Sequence, residues 1–336
     1  MELKYKYSIG GHMVFYEIEM LEENIQSIKN ALQNVDNKEN VNIDYFFNIS
    51  ECFEKVDVSK ITKEKLVDRF TSVMENLKVD GYNVTYTVYA DDDKPYTMTD
   101  YRRDFNYNKC QHYDYLIWNE SDMLIPAQAF EVLDMVKDYA SAQGIHRYIT
   151  TFAVRKMWDD SWKELEHVKF ENCKYLEKSD EGCFTEPHSI RYTMSIDEMN
   201  AINAEAESPD LRVLRQPKFD GSMLIMSSDL IKFGVNIPPG IFGLSGEDTA
   251  FMYNCMQLMG QNYVQFVIKN ILKVHNREHP QKRNYALTYD GKDVSIQSNK
   301  GDWYNKMRDV NKQNLDIMFQ PQGKFLSWED ALGGKE

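Results

Sequence analysis

Apolar and polar residues follow two different periods along the first half of the chain. Segments rich in β-branched and aromatic residues predict strands at residues 4–9, 42–49, 82–89, 113–118 and 148–154. Between them, residues 21–35, 63–77 and the segment after Pro126 have apolar groups at the spacing of amphipathic helices. Gly10-Gly11 is expected to end the first strand, and Pro126 to occupy a first helical position. Strands joined by helical crossovers predict an α/β fold with a mostly parallel, Rossmann-type sheet flanked by helices.

The second half of the chain is less regular. A capping box, Ser195 to Glu198, predicts a short helix, residues 223–226 a buried strand, and residues 264–274 a final strand. A Met-rich helix is expected to follow Ser245-Gly-Glu-Asp and to run to about Met259. From Asn276 onward, Gly, Asn, Lys and isolated aromatics predict an irregular C-terminal cover over a site. No repeat or Pro/Gly linker divides the chain, which favours one continuous catalytic domain.

Composition narrows the classes of protein to which the chain belongs. With 336 residues, 42% of them apolar, it is long enough to bury a full core. Its five scattered cysteines form no C-x-x-C pair, and no apolar run approaches the ~20 residues that span a bilayer, so we expect a cytoplasmic protein without a membrane anchor. The net charge of -14 disfavours a wholesale polyanion binder. Residues 261–336 are the exception, with 12 basic against 9 acidic groups.

The most informative segment is residues 113–126, in which a predicted buried strand is followed by Glu120-Ser-Asp122. Glu120 and Asp122 are two residues apart, so an extended backbone sends both carboxylates to one side. Two hard oxygen donors at a strand end suit Mg²⁺ or Mn²⁺, which usually completes its coordination shell with substrate phosphates. An isolated E-x-D is also typical of a solvated turn, and by itself it decides nothing.

Two later segments add to this pair. Glu247 and Asp248 are predicted at the start of a helix, where the macrodipole favours carboxylates; an ordinary acidic first turn is the alternative. His275, in Lys273-Val-His-Asn-Arg277, follows the last predicted strand and would add an imidazole ligand to an ion held by oxygen donors. A single histidine at such a position is more often structural. The order of the three segments gives them their weight.

In that order the segments resemble metal-dependent glycosyltransferases of the GT-A fold, with the greatest similarity to the inverting galactosyltransferase group. That family has an acidic D-x-D at a strand end, a Gly-Glu-Asp at a helix start and a histidine beyond the next strand. Here these correspond to Glu120-Ser-Asp122, Gly246-Glu-Asp248 and His275. Residues 100–106 resemble the helix that faces the nucleotide, and residues 220–226 the acceptor-side segment. The resemblance covers roughly residues 4 to 285, although only three short segments are specific.

The resemblance implies a role for each matching residue. Asp122, His275 and Glu120 would hold Mn²⁺ or Mg²⁺, and Asp248 would be the catalytic base. The residues expected to bind the acceptor are Glu247, Asp220 and Gly221, and those expected to bind the nucleotide sugar are Asp92, Arg103, Glu120 and Ser121. Glu120 departs from the aspartate of the family, so Asp122 is the expected direct ligand. Thr249 and Ala250 replace further acidic residues of some relatives, which makes acceptor chemistry hard to transfer.

The resemblance also implies a division of the chain. Residues 1–285 would form the catalytic domain, with a nucleotide-sugar half at 1–125 and an acceptor-side half at 126–285, and residues 286–336 a C-terminal extension or lid. The expected activity is hexosyl or pentosyl transfer from a nucleoside diphosphate sugar, with UDP-sugar favoured, to a glycan or small-molecule acceptor. An inverting mechanism follows from the same group.

Other functions stay open from the sequence. Basic residues at 212, 215, 218, 269, 273, 277, 282 and 283 and the aromatics Trp158, Trp162, Trp303 and Tyr304 are consistent with an enzyme that glycosylates a hydroxylated base of DNA. A lysine- and asparagine-rich chain of this kind suggests a phage- or virus-encoded enzyme. From another class, a noncatalytic nucleotide or carbohydrate binder would retain the same scaffold. A nucleotidyltransferase is disfavoured because no Gly-rich, lysine-containing phosphate loop is present near the N-terminus.

Overall fold

The computed structural model describes residues 1–52, 61–155, 160–173, 194–218, 221–242, 246–276, 301–318, 320 and 323–327. Its central sheet consists of strands β1 (Tyr7–Val14), β2 (Val41–Asn48), β3 (Asn83–Tyr89), β4 (Tyr115–Asn119), β6 (Ile149–Ala153), β7 (Leu211–Leu214), β8 (Ile225–Ser227) and β9 (Gln265–Leu272). A separate two-stranded ribbon consists of β5 (Met123–Leu124) and β10 (Val274–His275). The helices are α1 (Leu21–Ala31), α2 (Lys63–Val79), α3 (Met98–Lys109), α4 (Ala129–Ala142), α5 (Ile196–Asn203), α6 (Ser228–Lys232), α7 (Glu247–Met259) and α8 (Gly301–Ile317).

The strand order of the central sheet is β3-β2-β1-β4-β8-β6-β9-β7. Strands β1 to β4, β6 and β9 run in one direction, whereas β7 and β8 pair antiparallel with their neighbours. The predicted α/β class with a mostly parallel sheet flanked by helices is therefore confirmed. Because β1 to β4 are parallel and adjacent, the loops that follow them lie together at the carboxyl ends of these strands.

Alternate residues of β4 show how the sheet separates two cores. Tyr115 and Ile117 pack in one cluster with residues of α1, α2 and α4, whereas Leu116 and Trp118 pack in the other with α3, α6 and α7. This alternation is the two-residue period of a strand, with both faces covered by helices. Within the described ranges, no helix has the length and apolar character that crossing a bilayer requires.

The first strand passes through Gly10-Gly11 instead of ending there, contrary to the prediction. A Cβ atom on Gly10 would lie 2.7 Å from the Phe105 ring, and one on Gly11 would lie 2.7 Å from the Tyr45 ring. The two glycines therefore make room for aromatic rings that cross β1 on either face, and they do not form a turn.

Two other predicted boundaries differ from the structure. Helix α4 begins at Ala129 and not at Pro126, whose carbonyl oxygen accepts a hydrogen bond from the Ala129 amide (3.0 Å). The C-terminal region, predicted to be irregular, contains the 17-residue helix α8. Its residue Asn311 donates to and accepts from the backbone of Phe242, in the loop before α7. The chain after residue 300 therefore packs beside the start of α7.

Candidate active site

The turn after β4 and the ribbon strand β10 bring three predicted ligand residues together. β5 pairs antiparallel with β10, so that His275 lies opposite Met123. The Asn276 amide donates to the Asp122 carbonyl oxygen (2.7 Å), which extends this pairing by one residue. His275, 153 positions further along the chain, is thereby fixed beside Asp122 through backbone hydrogen bonds.

The ligand atoms of Glu120, Asp122 and His275 all lie within 4.8 Å of one another. His275 Nε2 is 3.1 Å from Glu120 Oε2 and 3.4 Å from Asp122 Oδ1. Burial disfavours the protonated imidazole, but the two carboxylates outweigh it and raise the pKa of His275 to about 9. Burial likewise opposes ionisation of Glu120, yet His275 and then Arg102 hold the pKa of this carboxyl well below its usual range.

This arrangement fits a divalent cation. Two carboxylate oxygens and one imidazole nitrogen are ligand atoms that coordinate Mn²⁺ or Mg²⁺ in proteins. Here the three side chains converge on one point. Ser121, between the two carboxylates, is buried, and its hydroxyl has no hydrogen-bond partner among the described residues. A buried polar atom of this kind is normally satisfied, and a ligand at the turn would satisfy it.

Arg102 of α3 links this turn to the start of α7. Its side chain is 2% exposed, and it donates from Nη2 to Glu120 Oε1 (2.8 Å) and from Nη1 to Glu247 Oε1 (2.6 Å). The guanidinium also lies over the Trp118 ring, 4.7 Å from its centroid. One buried cation therefore serves two carboxylates from opposite parts of the chain.

Glu247 and Asp248 differ in their environment, although they are neighbours at the first turn of α7. Glu247 is buried, and burial together with the charge of Asp248 raises its pKa to about 7. Asp248 is half-buried; its Oδ1 accepts from the Thr249 amide (2.6 Å), and burial raises its pKa above the usual value. Asp248 is therefore the more accessible of the two carboxylates, and its raised pKa suits a group that accepts a proton.

Gly221 lies against Asp248. A Cβ atom at position 221 would be 2.8 Å from Asp248 Oδ2, closer than such contacts normally are. The Gly221 carbonyl oxygen is also 3.5 Å from Arg102 Nη2. Asp220, which the sequence places in the same acceptor group, lies outside the described residues.

Two predicted nucleotide-binding residues do not join this cluster. Arg103 points the other way from Arg102, and its guanidinium donates to the carbonyl oxygens of Ile237, Pro238 and Ile241. Asp92 is exposed in the loop after β3; it accepts a hydrogen bond from the Glu51 amide and lies 3.6 Å from Lys63 Nζ. These contacts give both residues a local structural role.

Three of the basic residues that favoured a nucleic-acid backbone, Arg212, Lys269 and Lys273, are engaged within the described part of the protein. Lys269 and Lys273 are 2% and 1% exposed, and their ammonium groups donate to backbone carbonyl oxygens. Arg212 is paired with Asp210 at 2.7 Å. Residues 158, 277, 282 and 283 lie outside the described part of the chain, and the side chains of residues 303 and 304 are likewise not described.

Sequence reasoning missed Arg102, although a signal for it exists. On α3, Arg102 precedes Phe105 and Asn106 by three and four residues, and all three are buried. Asn106 accepts a hydrogen bond from the Trp118 indole (3.0 Å), beneath the guanidinium. The helical spacing therefore identifies Arg102, and not Arg103, as the arginine on the inner face.

His12, near the carboxyl end of β1, is a second residue that the sequence did not indicate. Its ring stacks on Phe46 with centroids 5.6 Å apart, and its Nε2 is buried without a partner among the described residues. Burial and then the charge of Arg102 lower its pKa to about 3. His12 is therefore neutral at physiological pH and lies on the β1–β2 side of the cluster.

Comparison with known proteins gives likeness only at the level of structure. No family model matches the sequence, and no curated protein does. Similar solved structures include a mycobacterial protein (12% identity, TM-score 0.39, covering 86% of this chain and 76% of that one) and the galactosyltransferase LgtC with donor and acceptor sugar analogues (9%, 0.29, 67% and 59%). A third is the bifunctional glycosyltransferase WbbM (12%, 0.31, 80% and 38%). The chain thus spans less than two thirds of LgtC and of WbbM. At such TM-scores a structural likeness does not support a conclusion about function. Any such conclusion has to come from the residues of the site.

Proposed function

We propose that this protein is a metal-dependent glycosyltransferase that moves a sugar from a nucleoside diphosphate sugar to an acceptor hydroxyl. The single observation that supports it most is the convergence of Glu120, Asp122 and His275 within 4.8 Å at the carboxyl end of β4. Open α/β sheets bind nucleotides in the crevice outside the carboxyl ends of their parallel strands. Side-chain ligands of this type hold a divalent cation whose remaining coordination positions are filled by phosphate oxygens of the substrate.

In this proposal the residues of the chain have separate tasks. A bound divalent cation would supply charge stabilisation for the departing diphosphate, of about 4 kcal/mol per unit charge pair at 4 Å and an effective dielectric near 20. Glu120, Asp122 and His275 hold it. Asp248 accepts the proton of the acceptor hydroxyl, a contribution of about 10² to 10⁴ in rate. The hydroxyl oxygen bonds to the anomeric carbon from the face opposite the diphosphate while the bond between that carbon and the diphosphate oxygen breaks. The diphosphate leaves with the electron pair, and the configuration inverts.

Glu247 and Gly221 belong to the acceptor side in this scheme. Glu247 is held by Arg102, so it binds an acceptor hydroxyl only through the oxygen that does not accept from the guanidinium at 2.6 Å. Gly221 leaves the space in which Asp248 lies, because any side chain there would displace the carboxylate. Ser121 and Glu120 contact the donor from the turn after β4.

The division of the chain follows the same scheme. Residues 1–125 would bind the nucleotide sugar, residues 126–285 would contribute the acceptor side, and residues 286–336 would be the C-terminal extension or lid. Within the last of these, Asn311 of α8 holds the backbone of Phe242 before α7. The favoured donor is a UDP-sugar carrying a hexosyl or pentosyl group, with Mn²⁺ or Mg²⁺ as the cation. The favoured acceptor is a glycan or small molecule, because the burial of Lys269 and Lys273 removes them from contact with a nucleic acid backbone.

A panel of nucleoside diphosphate sugars, each measured by thermal shift with and without Mn²⁺, tests the proposal. The expected result is a stabilisation by one donor that depends on the cation, since a ligand at 100 times its Kd adds about 2.7 kcal/mol. Asp122→Asn should lose the shift that depends on the cation. Measuring hydrolysis or transfer of the same sugar distinguishes an enzyme from a noncatalytic binder. Binding of the donor without turnover in the presence of any acceptor would contradict the proposed activity.

A further inference from the structure

Asn24, on the inner face of α1, contacts the turn that carries the acidic pair. It is fully buried, and its side-chain amide donates to the carbonyl oxygens of Glu120 (3.0 Å) and Met123 (2.6 Å). These two carbonyl groups bracket Ser121 and Asp122. The Met123 amide also donates to the Glu120 carbonyl oxygen (3.1 Å). Asn24 therefore binds to a turn that has its own internal hydrogen bond.

Asn24 is itself oriented by two buried polar residues, Asn119 at the end of β4 and Tyr45 in β2. Asn119 Nδ2 donates to Asn24 Oδ1 (3.0 Å) and to the Tyr45 hydroxyl oxygen (2.8 Å). The Tyr45 hydroxyl in turn donates to Asn24 Oδ1. Burial raises the pKa of Tyr45 far above physiological pH, so this hydroxyl keeps its proton. We refer to Asn24, Asn119 and Tyr45 as the amide cluster.

A second tie from the same helix reaches the other side of the turn. The Ser27 hydroxyl donates to the Asn24 carbonyl oxygen (2.7 Å) and accepts from the amide of Ile125, just after β5 (3.1 Å). One helix thus fixes the backbone at residues 120, 123 and 125. Fixing this backbone limits the positions from which the Glu120 and Asp122 side chains reach a common cation.

We propose that Asn24 is a positioning residue for the cation, and that the amide cluster sets the distance between the Glu120 and Asp122 carboxylates. Burying three uncharged polar side chains in place of apolar ones is justified when their directional bonds fix a geometry, which apolar contacts do not. The inference rests on the proposed function and its cation site, and it adds a requirement from α1 and β2 to a site whose ligands come from the turn after β4 and from β10.

The test measures Mn²⁺ binding directly, by titration calorimetry on the full chain, without donor or acceptor. Asn24→Leu keeps the branched shape of the side chain, with a larger volume, and removes its donors and its acceptor. Supporting partners behind metal ligands typically change affinity about 10- to 100-fold, and we expect a loss in this range. The matched control is Asn42→Leu, since Asn42 is equally buried and hydrogen-bonded to Ser8 but lies at the start of β2. Its Mn²⁺ affinity should remain that of the wild type.

Tyr45→Phe is the second variant, for the case in which Asn24→Leu does not fold. It removes one hydroxyl and leaves the ring that crosses Gly11, so its Mn²⁺ affinity should fall about three- to fivefold. A folded Asn24→Leu protein, or a Tyr45→Phe protein where the first does not fold, with wild-type affinity for Mn²⁺ would overturn the positioning role. Failure of the wild type itself to bind Mn²⁺ would overturn the proposed cation site instead, so the two failures are distinguishable.

Discussion

Replacing Arg102 by methionine probes the charge balance on which the site depends. Methionine retains much of the unbranched stem and its packing against Trp118, and it removes the guanidinium that donates to Glu120 and Glu247. Glu247 then remains buried without its cation, and Glu120 keeps His275, 3.1 Å away, as its positively charged neighbour. The neighbouring carboxylates of Asp122 and Asp248 add to the repulsion.

The size of the effect follows from burial. Arg102 is 2% exposed, and removing one partner of a buried ion pair costs about 3–5 kcal/mol. Arg69 provides a matched control, because it also bridges two carboxylates, Glu19 (2.7 Å) and Glu22 (2.9 Å), with a side chain that is 33% exposed. Solvent screens that arrangement, so Arg69→Met should cost no more than about 1 kcal/mol.

The assay is urea unfolding of both variants at several pH values. At pH 7 and above we expect the large loss for Arg102→Met, and a smaller loss as the pH falls, because a protonated carboxyl group no longer requires a cation. The first carboxyl to protonate should be Glu247, whose pKa is already raised to about 7 with Arg102 present. Millimolar Mn²⁺ should recover part of the stability, since a cation at the turn replaces some of the missing charge.

Equal losses for Arg102→Met and Arg69→Met would refute this reasoning, as would a loss at position 102 that does not change between pH 8 and pH 4. Arg102→Lys distinguishes charge from geometry. Lysine restores a positive charge but lacks the planar fork that reaches two carboxylates, so it should recover stability only in part.

Other predictions concern the carboxylates, the imidazole and the glycine of the site. Asp248→Asn should leave binding of a nucleoside diphosphate sugar nearly intact and lower transfer about 10²- to 10⁴-fold, whereas unchanged turnover would remove Asp248 from the base role. His275→Ala should weaken Mn²⁺ binding by calorimetry while leaving the fold intact by circular dichroism, and an unaltered Mn²⁺ affinity would exclude it as a ligand. Glu247→Gln should gain stability relative to the wild type as the pH rises from about 4.5 to about 7, because the raised pKa of Glu247 means that the folded protein disfavours its ionised form over that window; parallel stability profiles in urea would contradict this. Gly221→Ala should lower kcat with little change in donor affinity, because its methyl group meets Asp248 Oδ2 at 2.8 Å; a wild-type kcat would show that Asp248 can shift freely.

Local patterns in the sequence were sufficient to predict the alternation of elements in the first half and the acidic turn. The residue types at 113–118 predict a buried strand. In the structure, every residue from Tyr115 to Asn119 is buried. The capping box at Ser195 also forms as predicted, with the Ser195 hydroxyl accepting from the Glu198 amide. These features depend on neighbours within one turn or one strand, so the order of residue types is enough to predict them.

Features that depend on distant contacts were decided by the tertiary structure. Whether Gly10-Gly11 is a turn or a passage for two rings depends on Phe105 and Tyr45, which are far away in sequence. Helix α8 was missed because the Gly, Asn and Lys residues of the region are typical of irregular structure, although Trp303, Met307 and Val310 have helical spacing in the sequence.

The site shows the same division. The sequence by itself predicted Glu120, Asp122, Asp248 and His275 as site residues, since residue type and order are local properties. The structure brings the ligand atoms of Glu120, Asp122 and His275 within 4.8 Å of one another. Only the tertiary structure decided that Arg102 and not Arg103 lies among the carboxylates, and that Asn24 holds the acidic turn. A hydrogen-bond partner from another element is fixed by packing, because the distance and direction it needs exist only once helices and strands have assembled.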